Sequence, residues 1–403
     1  MKSRIRKLLF GRLILTLALL LGAMQVVVGH WVTVVLAGRE GPGLGIGLAL
    51  AALLVTGNAY LVPVLRRARR RGGFPGMVAR AYMGLGVATI LLGIAVVAIW
   101  LGFLPVGGLL SLFGVSPEIL FQIFRVLSIP VVGTIAGMLL WGFTGGQSYV
   151  AHTHLRIPLE ELSEDLRGLR IVQTSDLHIG NGMQGRRLER LVDRINALDP
   201  DLVALTGDLF DFDSSVLERG ARMLAGLRAR YGVFAVLGNH DTYTGTEKVV
   251  AALRDHAPSL RLLRKEWVRV PVSAPLYLAG VDDPGRGWAM RDVDLPDLQA
   301  LAEKMPTDGP TVLLVHRPEA FPQAARLGFS LVLAGHTHGG QLALPSVGGR
   351  LNLARLVTRY HRGLFRENGS VLYVNRGAGV AGPALRINCP REITTIELVA
   401  EPV

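Results

Sequence analysis

"LVLAGHTHGGQ" (Leu331–Gln341) is the stretch from which this chain is best read. An apolar run stops at Gly335, and two histidines follow at i and i+2, His336 and His338, backed by Gly339 and Gly340. Residues two apart on an extended or turning backbone point to one side. Flanking glycines let such a loop fold closely around an ion. Two neutral imidazoles on one side suit zinc, iron or manganese. Taken alone, the segment is equally open to being an incidental pair in a surface turn.

Working outward, the same pattern recurs. The runs "LRIVQTSDLH", "DLVALTGDLFD", "YGVFAVLGNHD", "LYLAGVDD", "TVLLVHRPE" and "VLYVNRGAG" are short, apolar and β-rich, and each ends in a polar cluster. "GRRLERLVDRINAL" and "SSVLERGARMLAGLRARY" lie between the first three and carry apolar residues at helical spacing. Alternating strand and helix predicts an α/β domain, whose ligand sites gather at the carboxyl ends of strands. At those ends stand Asp176, His178, Asp208, Asp211, Asn239, His240, Asp241, His316, His336 and His338. One strand-end Asp or His is ordinarily a turn or cap residue, but a set spread over five strand ends is not explained that way. Mixed oxygen and nitrogen donors suit a pair of borderline divalent metals, with a carboxylate such as Asp208 to bridge them. No thiolate is close in sequence, against a structural zinc site.

The ordered set "DLH", "GDLFD", "GNHD", a lone downstream His and "GHTH" resembles the signature of the calcineurin-like metallophosphoesterases, over about residues 166–400. "GHTHGGQ" is similar to the bacterial YkuE-like branch. The resemblance implies a β-sandwich flanked by helices and a phosphoester hydrolase using two divalent ions, manganese, iron or zinc. It implies that Asp176, His178 and His338 hold the first ion. Asn239, His316 and His336 would hold the second, and Asp208 would bridge. His240 would assist the leaving group, oriented by Asp241. No role for Asp211 transfers; orienting a ligand and capping a turn both remain open.

The first part of the chain differs in kind. Residues 1–154 hold thirteen Lys or Arg against two acids, Glu40 and Glu118, a net +11, whereas the rest carries +1 of the total +12. The basic excess flanks long uncharged stretches rather than forming a nucleic-acid surface, so no nucleic-acid partner is expected. Four transmembrane helices are predicted, near 13–36, 44–65, 81–104 and 124–144, within a region 1–150. The first is too long for a signal-peptide core. "AHTHLRIPLEEL" opens an expected linker, 151–165, in which His152 and His154 are juxtamembrane residues. Basic residues crowd the N-terminal tail and Arg66–Arg71, which predicts that both, and the catalytic domain, face the cytoplasm of a bacterial inner membrane. Arg125 sits awkwardly at the start of the fourth span. The one cysteine, Cys389, excludes an intrachain disulfide.

A transporter or sensor without hydrolysis is disfavoured, because the spans hold only Arg125 as an internal charge. The partners expected are the lipid bilayer and a phosphoester, lipid-linked in one reading and a general soluble phosphodiester in the other. Arg286 and Arg376, on glycine-rich loops, are candidates to contact phosphate.

Overall fold

In a computed structural model of the chain, residues 2–41, 44–71, 73–160, 162–285, 295–344 and 351–400 are described. They fall into two compact units, 1–143 and 144–403.

The first unit is helical: α1 (Lys2–Trp31), α2 (Leu44–Arg71), α3 (Gly73–Leu112) and α4 (Pro117–Phe143). All four are long and apolar enough to cross a membrane. Large apolar side chains such as Leu48, Leu53, Trp100 and Leu140 stand exposed on them, as lipid-facing positions would. Polar groups inside the bundle find each other. The Trp31 indole N–H donates to the Ser128 hydroxyl at 3.2 Å, and Asn58 Nδ2 donates to Gln25 Oε1 at 2.9 Å. α3 and α4 both start earlier than the sequence suggests, so Arg125 lies inside a helix rather than at its start.

The second unit is a four-layer α/β/β/α sandwich. Its strands are β1 (Val150–Leu159), β2 (Arg170–Thr174), β3 (Leu202–Thr206), β4 (Val233–Val236), β5 (Leu260–Leu262), β6 (Glu266–Arg269), β7 (Tyr277–Gly280), β8 (Thr311–Leu314), β9 (Leu331–Ala334), β10 (Gly363–Glu367), β11 (Ser370–Val374) and β12 (Arg391–Ala400). One sheet runs β1-β12-β2-β3-β4-β5, the other β10-β11-β9-β8-β7-β6. β2 to β5 are parallel in the first, and β7, β8, β9 and β11 in the second. Period-2 alternation sends side chains to two cores. Ile171, Leu202, Ala204, Leu314 and Leu333 pack between the sheets. Val172, Val203 and Leu205 pack outward under α5 (Arg186–Asn196), α6 (Leu217–Leu224) and α7 (Asn239–His256). Leu313 and Val332 do the same on the far side, under α8 (Pro296–Ala302) and α9 (Phe321–Arg326).

Residues expected to be a linker are instead largely strand. β1 pairs in parallel with β12 over ten residues, from Val150↔Arg391 to Leu159↔Ala400. Its alternation turns Ile157 and Leu159 inward and leaves His152, His154 and Arg156 outside. His152 and His154 are therefore sheet residues. The first meets the Thr395 hydroxyl at 2.8 Å, the second Glu397 at 3.4 Å.

Candidate metal centre

Parallel strands that stop at one level deliver their following loops to one place. The loops after β2, β3, β8 and β9 bring Asp176, His178, Asp208, His316, His336 and His338 together, and Asn239 opens the helix after β4. Asp176, His178 and His338 form one group whose ligand atoms lie within 4.8 Å of one another; Asp208, His316 and His336 form a second. Asp208 Oδ2 faces both, 3.6 Å from His178 Nε2 and 3.3 Å from His316 Nε2. The Nε2 atoms of His178 and His338 approach to 2.9 Å, and His338 Nε2 lies 3.2 Å from Asp176 Oδ1.

The backbone is bent to achieve this. Asp176, His178, Asp208, His336 and His338 all hold φ between 47° and 70°. That left-handed region costs an L-residue about 1 kcal/mol or more, and such outliers cluster where function demands them. Glycines in the motifs have a different task. A Cβ on Gly238 would collide with the Asp208 carboxylate, and one on Gly335 with Ser175 and Asp176.

The donor set fits a pair of cations. The Asn239 side-chain oxygen is buried without a hydrogen-bond partner among the described residues, an expensive state that a metal ion would relieve. His316 Nδ1 bonds the Thr206 carbonyl at 2.8 Å, which turns Nε2 into the site. Burial, reinforced by the neighbouring His316 and His178, holds His336 and His338 well below the usual imidazole range, so both are neutral donors. His316 is different. Burial disfavours its charge, but the Asp208 carboxylate overrides this and pushes it up to about 10. A positive charge is wanted there, which a cation would supply in place of the proton.

One expected role moves to another residue. Asp241 does not orient His240. Its carboxylate accepts backbone N–H bonds from Leu209, Phe210 and Gly238 at 3.1, 2.9 and 2.8 Å, tying the β3 and β4 loops together. The partner of the His240 ring is Asp211, whose Oδ1 lies 2.7 Å from Nδ1. The reason is directional: Asp241 sits in the first turn of α7, aimed back at unbonded amides, while Asp211 reaches across from the β3 loop. Phe212 and Tyr243 pack on the His240 ring, with centroids at 4.8 and 5.5 Å.

Arg386 and Arg317 gave no signal in the sequence, whereas Arg376 and Arg286 were candidates there. Arg386 is almost wholly buried, and its Nη2 lies 3.2 Å from His338 Nδ1 while also donating to the Arg376 and Gly379 carbonyls. Arg317, next to His316, is clamped by Asp283 at 2.5 Å. Arg376 is paired with Glu392 at 2.6 Å. Arg286 lies outside the described residues.

The profile of the calcineurin-like phosphoesterase family matches residues 169–340, the segment that carries all these loops. An uncharacterized metallophosphoesterase of Aquifex aeolicus is 34% identical over 232 residues, covering 57% of this chain and 85% of that protein. The chain belongs to the calcineurin-like phosphoesterase family. A further relative of this family member is a "transmembrane protein with metallophosphoesterase domain" of Danio rerio, 35% identical over 60% of this chain and 56% of that protein. An uncharacterized metallophosphoesterase of Campylobacter jejuni is 32% identical over 60% and 61%. The chain thus spans little more than half the length of these last two relatives. Animal and bacterial proteins both match, so the similarity does not single out a bacterial branch.

Proposed function

We propose that this calcineurin-like phosphoesterase hydrolyses a phosphodiester or pyrophosphate bond with two divalent ions, manganese, iron or zinc, at the strand-end site. The observation that carries the reading is Asp208, whose one carboxylate oxygen faces both ligand groups. Asp176, His178 and His338 would hold one ion, and Asn239, His316 and His336 the other. Bound there, the ions would activate a water and neutralise phosphoryl oxygen charge. The chain supplies the rest. His240, with its side chain 15% exposed at the edge of the cluster, is placed to give a proton to the departing oxygen. Asp211 fixes the orientation of that ring. The aromatic faces of Phe212 and Tyr243 limit water around it.

The four apolar helices support a multi-pass protein of a cell membrane, and the basic tail and Arg66–Arg71 support a cytoplasmic catalytic unit, in a bacterium at the inner membrane. A chain built into a bilayer favours a lipid-linked substrate. The test is hydrolysis by the purified full chain in detergent. A chromogenic phosphodiester and a set of lipid-linked phosphoesters should be cleaved with manganese and spared after chelation. No turnover of any of them with manganese, iron or zinc would refute the reading.

A further inference from the structure

A cavity lies beside the histidine loop. About 690 Å³ in volume, it opens at one edge of the sandwich, between β1 and β10. Its lining includes four guanidinium groups, from Arg355, Arg359, Arg362 and Arg376. Two are neutralised: Arg376 by Glu392 at 2.6 Å and Arg359 by Glu367 at 2.5 Å. Arg355 and Arg362 have no carboxylate partner among the described ion pairs. Both raise the local potential at His361, which burial and these arginines hold below the usual imidazole range. A cavity that gathers unpaired guanidinium groups is complementary to an anion, and the arginine fork matches phosphate oxygens.

The segment that supplies Arg355 and Arg362 also exposes apolar side chains. Of the eight exposed large apolar side chains described after residue 143, five fall between Leu344 and Leu364. Leu356 is 77% exposed, beside Arg355; Leu364 is 46% exposed and lines the cavity itself. A free inorganic anion would gain nothing from these leucines. An interface that is anionic at one depth and hydrocarbon at the next would satisfy both. The same chain carries four helices apolar enough to enter a bilayer.

We propose that this cavity binds the phosphate-bearing headgroup of an anionic phospholipid, with Arg355 and Arg362 on the phosphate and Leu356, Val357 and Leu364 in the acyl boundary. The site shares a wall with the metal centre. The Thr337 hydroxyl, between His336 and His338, donates to the His361 carbonyl at 2.7 Å, and a Cβ on Gly339 would touch both Arg362 and Arg376. Lipid bound here would therefore hold the face carrying the histidine loop against the membrane surface. This goes beyond the hydrolytic reading and does not depend on it.

The test uses the full chain carrying Leu356→Cys, labelled with an environment-sensitive fluorophore; Cys389 is buried and does not compete. The protein is placed in nanodiscs of phosphatidylcholine with increasing phosphatidylglycerol, without substrate. Emission should rise and shift to the blue as phosphatidylglycerol increases. Adding Arg355→Ser and Arg362→Ser should weaken that response about tenfold or more, the loss expected for charge-assisted bonds. Arg355→Lys with Arg362→Lys keeps the charge but loses the fork, and should fall between. The proposal is overturned if emission ignores lipid charge, or if the serine pair responds like the parent. It is also overturned if inorganic phosphate alone produces the change, or if the change follows protein concentration, which would make the occupant a second copy.

Discussion

Asp211 Oδ1 lies 2.7 Å from His240 Nδ1 and 3.5 Å from His178 Nδ1, so one buried carboxylate addresses both the proposed proton donor and a proposed ligand. The shorter contact defines its main task. Asp211→Asn should lower turnover by about 10²-fold while leaving metal content near that of the parent, because the loss is in ring orientation. Steady-state kinetics beside elemental analysis check this. The deficit should shrink for substrates whose leaving group needs no proton; an equal deficit on all substrates would remove the positioning role.

Asp208→Asn tests the dinuclear arrangement. The carboxylate is shared between both ligand groups, and its backbone-facing oxygen also accepts from His240 N–H at 2.7 Å. The parent should contain close to two transition-metal ions per chain and the variant clearly fewer, with activity lost in step. Full metal occupancy and normal turnover in the variant would rule the arrangement out.

Asp241→Ala should behave as a folding variant. Three buried amides lose their acceptor, each a penalty of about 1–3 kcal/mol. The catalytic unit should then unfold about 6 °C or more below the parent. Thermal unfolding measured beside turnover separates this from a catalytic defect. An unchanged midpoint with slow hydrolysis would return the orienting role to Asp241.

Topology follows from charge. A reporter active only in the cytoplasm, fused after Val403, should work in bacterial cells, and one requiring export should stay silent. Neutralising Arg66, Arg67, Arg69, Arg70 and Arg71 should weaken that preference. Protease cleavage within 155–403 on intact spheroplasts would overturn the assignment and turn attention to envelope phosphoesters.

The sequence by itself determined a great deal here. Strand-end motifs are local: an apolar run, a glycine, then Asp or His. Parallel α/β geometry carries each such end to one edge, and the resemblance to the calcineurin-like metallophosphoesterases implied which of those residues would be ligands: Asp176, His178, Asp208, Asn239, His316, His336 and His338. The apolar helices were equally legible, because a span of uncharged residues has few other fates. What only the tertiary structure decided were contacts between distant segments. β1 reads as a linker until β12, more than two hundred residues later, supplies its hydrogen bonds. The resemblance implied Asp241 as the partner of His240, but a side chain in the first turn of a helix points back to free amides, and Asp211 arrives from the loop after another strand. Arg386 and the arginine cavity belong to the same class. Their meaning lies in what packs beside them, and no spacing within the chain encodes that.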